Sequence, residues 1–376
     1  MADGDVVFVT GYPVMRARSV CAELLRSDER CLVYLLVRPG GSQSAREALA
    51  DPVGEDRERI KLIEGSASAI DFGLSGGELE SLGRDVTHIH HCAEVTNPGA
   101  ERKTAERVNV GAAQEALEFA RCCGKLRCLV FHSTVHVAGD RSGIVREDEL
   151  EAGQSFRNVI EETKARAEKL MRSAMASMPI AVVRPATISC DATTGAVDRP
   201  DGMYFLVLLA LTSSPEWPLR LPGRGEGPLN LVPSDWVARA ASAIGRDPRA
   251  PGRTFHLVDP RPAAARAVFD LVARASGTRA SRGSVPANLA RALLRAPGLD
   301  RIARTPRAFL DTLLTLTTPV TYDARNADEL LNSLGIPACP PFESYVDKLV
   351  EHVRKRIPDR GAARKDAPME IDEPPA

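Results

Sequence analysis

Short runs of apolar residues alternate along this chain with stretches that carry apolar residues at helical spacing. Six of the runs are predicted to be strands, and the long buried runs among them lack the polar and apolar alternation of a half-exposed strand. Strands that alternate with helices are typical of a parallel sheet covered on both faces. The pattern predicts an α/β fold, a Rossmann-type doubly wound parallel sheet with an inner first strand and a crevice at its carboxyl edge. The six runs are VVFVT (6–10), CLVYLLV (31–37), IKLIEG (60–65), HIHHCA (88–93), CLVFHST (128–134) and IAVVRP (180–185).

After Pro185 the regular alternation of predicted strands and helices is replaced by loops rich in glycine and proline. Strands are predicted near 229–232 and 254–258, with helices from Ser234 and over 263–275. Inserts after the late strands lie where an open sheet has its ligand crevice. They therefore predict a smaller C-terminal substrate lobe.

The chain divides into three predicted parts. Residues 1–185 form the dinucleotide-binding Rossmann core, and residues 186–357 form the substrate lobe and closing helices, intertwined with the core. Residues 285–357 are predicted to be helical, with an arginine-rich stretch that forms a solvated face. The tail 358–376 combines charges and prolines with few large apolar residues, so we expect disorder there.

Composition narrows the class of protein. The 376 residues carry a formal net charge of −1, which argues against a general nucleic-acid or anionic-membrane binder. The eight cysteines show no zinc-type spacing, so we expect reduced, mostly buried thiols and no metal site. The longest apolar run, MYFLVLLAL (203–211), has about half the length of a membrane-spanning helix and predicts a buried helix. The first residues enter a strand without a secretion signal, so we expect a cytoplasmic protein.

The first strand ends in Thr10 and Gly11, where dinucleotide-binding folds place a glycine-rich turn before a helix. The turn needs a residue without a Cβ, which Gly11 supplies, and close helix packing needs a small residue, which Ala17 supplies. Val14 stands where a second glycine would let the backbone approach the pyrophosphate. Because valine is β-branched, we expect it to crowd the phosphates or twist the loop.

Arginines follow the first two strands. Arg16 and Arg18 either offer charge to a phosphate or are ordinary surface residues of a helix. Arg38 ends the second strand, where an acidic residue would hold the ribose 2′-hydroxyl of NAD and an arginine suits the 2′-phosphate of NADP. We therefore expect NADP over NAD, with weak or absent binding because of Val14.

On these features the chain resembles the extended short-chain dehydrogenases of the fatty acyl-CoA reductase and thioester-reductase type, over residues 5–355. Segments similar to the substrate lobe and closing helices of that group are LVPSDWVARA (231–240), VTYDARNADELL (320–331) and FESYVDKLVEHV (342–353). The segments that carry the resemblance, in the family's order and spacing, are VFVTG (7–11), LLVRPGGSQSAR (35–46), HHCAEV (90–95), RVNVGAAQEALEFA (107–120), FHSTVHVAGDRSG (131–143), FRNVIEETKARAEKL (156–170) and VVRPATI (182–188).

The resemblance implies roles for individual residues. It assigns Asn109 to a helix position that organises a water relay and Thr134 to the hydroxyl that polarises a substrate carbonyl. It assigns Lys164 to the nicotinamide ribose, where it also lowers the pKa of a tyrosine four residues earlier. That position is Ile160, which can neither donate nor accept a proton, so the catalytic set is incomplete.

Two further positions depart from the family pattern. Ser66 stands where the family commonly has an aspartate near the adenine, and Glu94 stands where it has a small apolar residue near the cofactor. A carboxylate beside the phosphates weakens cofactor binding unless Arg16 or Arg18 pairs with it.

Two functional hypotheses remain open. In the first, the chain is catalytically impaired and acts as a binding, scaffolding or sensing module, with a small-molecule or acyl-thioester ligand or a protein partner. In the second, it is an active NADP-dependent oxidoreductase that reduces an acyl thioester, aldehyde or ketone, with His136 or Glu161 as the substitute proton donor. The sequence contains no chemical motif that identifies the substrate.

Overall fold

A central sheet of seven parallel strands confirms the predicted doubly wound fold. The computed structural model describes residues 4–49, 58–97, 99–197, 202–212, 219–222, 225–278, 280–285 and 320–356. The strands in chain order are β1 (Val6–Thr10), β2 (Leu32–Val37), β3 (Ile60–Glu64), β4 (His88–His91), β5 (Cys128–His132), β6 (Gly143–Val145), β7 (Ile180–Pro185), β8 (Thr187–Ile188), β9 (Leu219–Pro222), β10 (Leu231–Val232), β11 (Thr254–Leu257), β12 (Ala280–Val285) and β13 (Val320–Tyr322).

The main sheet has the order β11-β7-β5-β4-β1-β2-β3. β1 lies inside the sheet as predicted, since Val7 pairs with Val33 of β2 on one side and with His88 of β4 on the other. All six predicted strands of the core are present, and the run near 254–258 supplies the seventh, β11. The carboxyl ends of β1, β2, β4 and β5 meet at one edge, where this class of sheet binds its ligands.

Helices cover both faces of the sheet. A π-helical turn, Glu106–Gly111, joins α4 to α5, so the three segments form one interrupted helix. The helices are α1 (Met15–Ser27), α2 (Ser42–Ala48), α3 (Gly76–Asp85), α4 (Arg102–Ala105), α5 (Ala112–Cys122), α6 (Val159–Ala174), α7 (Gly202–Thr212), α8 (Ser234–Arg246), α9 (Ala265–Ala275), α10 (Arg325–Ser333) and α11 (Val346–Arg356).

One expectation about helices needs correction. Within the range predicted as helical from 285 to 357, α10 and α11 are helices, but Val320–Tyr322 forms a strand because it pairs with Gly143–Val145. Residues 286–319, with much of the arginine-rich stretch, and the tail 358–376 lie outside the described residues.

The two faces of the sheet bury different side chains. On one face the aliphatic residues of β1 and β2, such as Val9 and Leu35, pack against α1. On the other face Phe8, Phe72 and Phe119 contact one another with ring centroids 5.1 to 5.6 Å apart, and α5 and α6 cover them. Burial on both faces explains why the strands read as continuous apolar runs.

A second cluster lies in the C-terminal half. α7, α9 and α11 pack together through buried residues that include Val207, Phe269 and Leu349. The predicted buried helix over 203–211 is therefore present as α7. Among the described residues, no helix is long and apolar enough to cross a membrane. All eight cysteines are free thiols, and seven of them are buried.

Candidate functional site

The turn after β1 lies at the carboxyl edge, against the residues that follow β4. Gly11 has φ +95°, and a Cβ there would lie 2.4 Å from the carbonyl carbon of Cys92. Thr10 is buried, and its hydroxyl forms a hydrogen bond of 3.0 Å with Nδ1 of His91. Burial lowers the pKa of His91 to about 3, so this ring is neutral. The backbone angle and the close contact together require glycine at position 11.

α1 begins directly behind this turn, without a hydrogen bond from a side-chain cap. Its N-cap residue is Val14, with φ −56° and ψ 145°, and the Val14 amide donates to the carbonyl oxygen of Gly11 at 3.0 Å. These angles are open to any L-residue, and the effect of Val14 on a phosphate or on the shape of the loop stays a prediction. Ala17 is fully buried, as expected of the small packing residue. The first turn of α1 contains no acidic residue, so its N–H groups and dipole favour an anion.

One carboxylate joins α1 to α6 across this edge. Oε2 of Glu94 accepts hydrogen bonds from NH1 of Arg16 at 3.1 Å and from Nζ of Lys164 at 2.9 Å. The three side chains are at most 11% exposed. Lys164 also donates to the carbonyl oxygen of His132 at 2.8 Å. The sequence offered Arg16 or Arg18 as a partner for Glu94, and the structure shows Arg16 together with Lys164, which was not predicted.

The charges of this triad depend on one another. Burial raises the pKa of Glu94, but the positive charges of Arg16 and Lys164 outweigh it, and the net pKa lies below its ordinary value. Burial lowers the pKa of Lys164, and the charge of Glu94 opposes that change. Glu94 is therefore ionised at neutral pH. Its removal would leave two buried cations without their counter-ion, which is costly in a protein interior.

Asn109 lies in the π-helical turn and is buried. Its Oδ1 accepts from the amide of Val95 at 2.8 Å, and its Nδ2 donates to Oγ1 of Thr163 at 2.9 Å. Thr163 directly precedes Lys164, so Asn109 connects α6 to the loop that carries Glu94. The water relay that the resemblance implies for Asn109 stays a prediction.

Thr134 caps the short helical turn that follows β5. Its Oγ1 accepts from the amide of His136 at 3.3 Å. Nε2 of His136 lies 3.2 Å from Oγ1 of Thr187, and burial lowers the pKa of His136 to about 4. The ring is therefore neutral near pH 7, which leaves no imidazolium to act as an acid.

Ile160 lies in the first turn of α6, one turn before Lys164, and is half-buried. Asn158 caps this helix, because its Oδ1 accepts from the amides of Ile160 and Glu161, both at 3.0 Å. Oε2 of Glu161 accepts from the amide of Arg157 at 3.0 Å, and burial raises the pKa of Glu161. Ile160 thus contributes no hydroxyl at the tyrosine position. The carboxylate of Glu161 is held by the backbone just before α6.

A buried ion pair supports the elements on either side of Thr134. Ser133 donates to Oε2 of Glu168 at 2.6 Å, and Nε of Arg184 donates to Oε1 of Glu168 at 3.0 Å. Both charged side chains are at most 1% exposed. The sequence analysis missed this network, although a charge at Arg184 inside the apolar run IAVVRP was a signal.

The other end of the crevice lies where β2 and β3 end. Arg38 directly follows the last residue of β2, close to its predicted place, and its side chain is exposed. The turn that follows it donates to a carboxylate that the sequence analysis did not identify: Gly40 N lies 3.1 Å from Oε2 of Glu64, and Ser42 Oγ lies 2.6 Å from Oε1. These hydrogen bonds lower the pKa of Glu64. An acidic residue at the last position of a strand was the signal available.

Ser66 follows this strand. Its amide donates to the carbonyl oxygen of Phe72 at 2.8 Å, which closes a tight loop in which Asp71 and Phe72 have φ of 52° and 58°. The adenine role of this position stays a prediction.

Comparison with known proteins gives a family match over most of the core. The sequence model of the family described as "Male sterility protein" matches residues 9–241. A glycine betaine reductase of Emericella nidulans is 24% identical over 285 residues, which cover 72% of this chain and 22% of the relative. Fatty acyl-CoA reductase 1 of Arabidopsis thaliana is 25% identical over 171 residues, which cover 40% of this chain and 35% of the relative. The chain thus spans well under half the length of these curated relatives.

Solved structures share the fold. The terminal R domain of the myxalamid PKS-NRPS pathway superposes with a TM-score of 0.79 at 23% identity and covers 95% of this chain and 92% of that domain. A thiolation-reductase di-domain from an archaeal non-ribosomal peptide synthetase gives a TM-score of 0.73 at 19% identity, with 94% and 75% covered.

Proposed function

Because this chain belongs to the Male sterility protein family and is an extended short-chain dehydrogenase that resembles fatty acyl-CoA and thioester reductases, we propose that it is a reductase-fold binding module impaired in hydride transfer. The observation that carries the proposal is the buried bridge from Arg16 through Glu94 to Lys164. It engages Lys164, the residue that the resemblance assigns to the nicotinamide ribose.

A nicotinamide dinucleotide fits one half of this crevice and not the other. The positive φ of Gly11 and the uncapped, acid-free start of α1 suit a pyrophosphate. At the other end Lys164 is already bonded to Glu94 and to the His132 carbonyl, and Ile160 offers no proton. The residues present therefore do not support the nicotinamide half.

The same features support a role in binding, scaffolding or sensing. A crevice that keeps an anion-favouring helix start and a substrate lobe retains the parts that hold a ligand. Its ligand is proposed to be a small molecule or an acyl thioester of the kind that family members reduce, and a protein partner is the alternative. The cytoplasmic location stays a prediction from the sequence.

The competing hypothesis is an active oxidoreductase with a substitute acid. His136 is neutral near pH 7, and its Nε2 already lies 3.2 Å from Thr187 Oγ1. Glu161 keeps a raised pKa, which suits an acid, but its carboxylate accepts from the amide of Arg157. Neither side chain takes the place of a tyrosine hydroxyl four residues before the lysine.

The test combines binding and turnover in matched variants. We expect the unmodified chain to bind NADPH weakly in calorimetric titration and to show no NADPH oxidation with an acyl thioester or aldehyde. Glu94→Ala/Ile160→Tyr should gain oxidation, because it frees Lys164 and restores the acid, which contributes about 10²–10⁴-fold in such enzymes. Glu94→Ala/Ile160→Phe, which differs only by the hydroxyl, should not.

Circular dichroism of each variant shows whether the loss of Glu94 disturbs the fold. Robust turnover by the unmodified chain, abolished by His136→Ala or Glu161→Gln, would overturn the proposal and establish the competing one.

A further inference from the structure

The adenosine end of the crevice contains a fixed negative charge where an NADP-specific site would need a positive one. Glu64 is the last residue of β3, and its Cα pairs with Val37, the last residue of β2. Its two carboxylate oxygens bind the turn behind Arg38, at Gly40 N and Ser42 Oγ. In this fold, the turn after β2 receives the 2′-position of the adenosine ribose.

We propose that Glu64 makes this crevice select nucleotides with a free 2′-hydroxyl over nucleotides that carry a 2′-phosphate. The inference rests on the proposed function only in that the crevice takes a nucleotide. It reverses the preference for NADP that Arg38 alone predicts.

Hydrogen bonding decides how Glu64 acts. The amide of Gly40 and the hydroxyl of Ser42, donors that a 2′-phosphate entering this turn would need, here donate to a carboxylate of the chain itself. A second anion with a charge between −1 and −2 would meet both repulsion and a turn whose donors are engaged. A ribose hydroxyl is a donor and can bond to the remaining lone pairs of the same carboxylate.

Arg38 opposes this preference less strongly than its charge suggests. Its side chain is exposed at the end of β2, so solvent and salt screen its interaction with a phosphate, and ordering its long side chain costs entropy. Glu64 is also exposed, but two hydrogen bonds of 3.1 and 2.6 Å hold its carboxylate in place. A charge that is already fixed at the turn acts on every ligand that enters.

The test uses two probes that differ only in the 2′-phosphate: 5′-AMP and adenosine 2′,5′-bisphosphate. Calorimetric titration of the full chain should show 5′-AMP binding about tenfold more tightly, the effect of one like-charge contact between a phosphate and a carboxylate that are both exposed to water. Glu64→Gln removes the charge and keeps an acceptor for the turn, and it should reduce the ratio to about threefold or less.

Arg38→Ala is the matched control, because it removes a positive charge beside the same turn. It should weaken the binding of adenosine 2′,5′-bisphosphate by a smaller factor than the factor by which Glu64→Gln strengthens that binding. Because Glu64 is exposed, both variants should keep the circular dichroism spectrum of the unmodified chain.

Three results would overturn the inference: tighter binding of the bisphosphate by the unmodified chain, an unchanged ratio in Glu64→Gln, or no binding of either probe at millimolar concentration. Neither probe contains a nicotinamide, so Ile160 and Glu94 do not enter these measurements. NADPH turnover by the unmodified chain would refute the proposed function and leave the 2′-selectivity standing.

Discussion

Gly11 and Gly40 both have positive φ, at 95° and 74°, yet their surroundings differ at the scale of single atoms. A Cβ on Gly11 would overlap the backbone at Cys92, 2.4 Å away, whereas a Cβ on Gly40 would meet nothing within 4 Å. We expect Gly40→Ala to cost about 1 kcal/mol, the strain of the backbone angle alone. Gly11→Ala should cost clearly more, because β1 or the loop after β4 must move. Urea denaturation of both variants measures the difference. Equal losses of unfolding free energy would contradict the close contact between position 11 and the backbone of Cys92.

The crevice also shows how far single residues could be read from the sequence. Ile160 was identifiable because its spacing from Lys164 is fixed along one helix. The bond between Glu94 and Lys164 was not, since the two residues are 70 positions apart and meet only when α6 packs on the sheet. Glu64 escaped for the same reason: its partners, Gly40 and Ser42, lie on a neighbouring strand connection.

At the scale of elements, one carboxylate holds the start of α10. Glu147 accepts from the amides of Asn326, Ala327 and His256, so it fixes this helix to β11. Burial raises the pKa of Glu147 from 4.5 to about 7, against the opposing effect of these hydrogen bonds.

This raised pKa predicts a pH dependence of stability. Between about pH 4.5 and 7 the folded state keeps a proton that the unfolded state has released, so the free energy of unfolding falls as pH rises through that window. The full contribution is about 3 kcal/mol, present below pH 4.5 and lost above about 7. The glutamine in Glu147→Gln cannot titrate. From pH 4.5 to about 7, the free energy of unfolding of the unmodified chain should therefore fall by about 3 kcal/mol relative to that of the variant. Urea denaturation at several pH values tests this, and a constant difference would contradict it.

Local signals explain which elements were found. α3 has a readable start, a capping box between Ser75 and Glu78, and still escaped notice because its apolar positions are few. β13 was assigned to a helix, since three residues carry no periodicity and their strand form depends on pairing with Gly143–Val145. Long buried runs such as β1 and β7 were found with the same bounds that the structure has.

At the scale of the whole molecule, the C-terminal segment packs into the core. Leu330 of α10 is 1% exposed and belongs to one buried cluster with Phe255 of β11 and Trp236 of α8. The Trp236 indole donates to the carbonyl oxygen of Pro337 at 2.8 Å, which further joins the two parts.

We therefore expect Leu330→Ala to destabilise the entire fold by about 2–5 kcal/mol. Leu334, 40% exposed just after the same helix, provides the control, and Leu334→Ala should change little. Unfolding followed by circular dichroism and by tryptophan fluorescence should shift together. If Leu330→Ala shifted only a small early transition, the C-terminal segment would be a separate unit.

The strand order has a consequence for the time the chain needs to reach its native state. β1 pairs with β4, whose residues lie about 80 positions later, and β11 pairs with β7, whose residues lie about 70 positions earlier. Each such closure loses chain entropy before any contact compensates for it, so parallel sheets with distant partners assemble slowly. Until β4 arrives, β1 exposes an apolar, unpaired edge. Refolding at high protein concentration should therefore lose material to aggregation, and dilution should recover it.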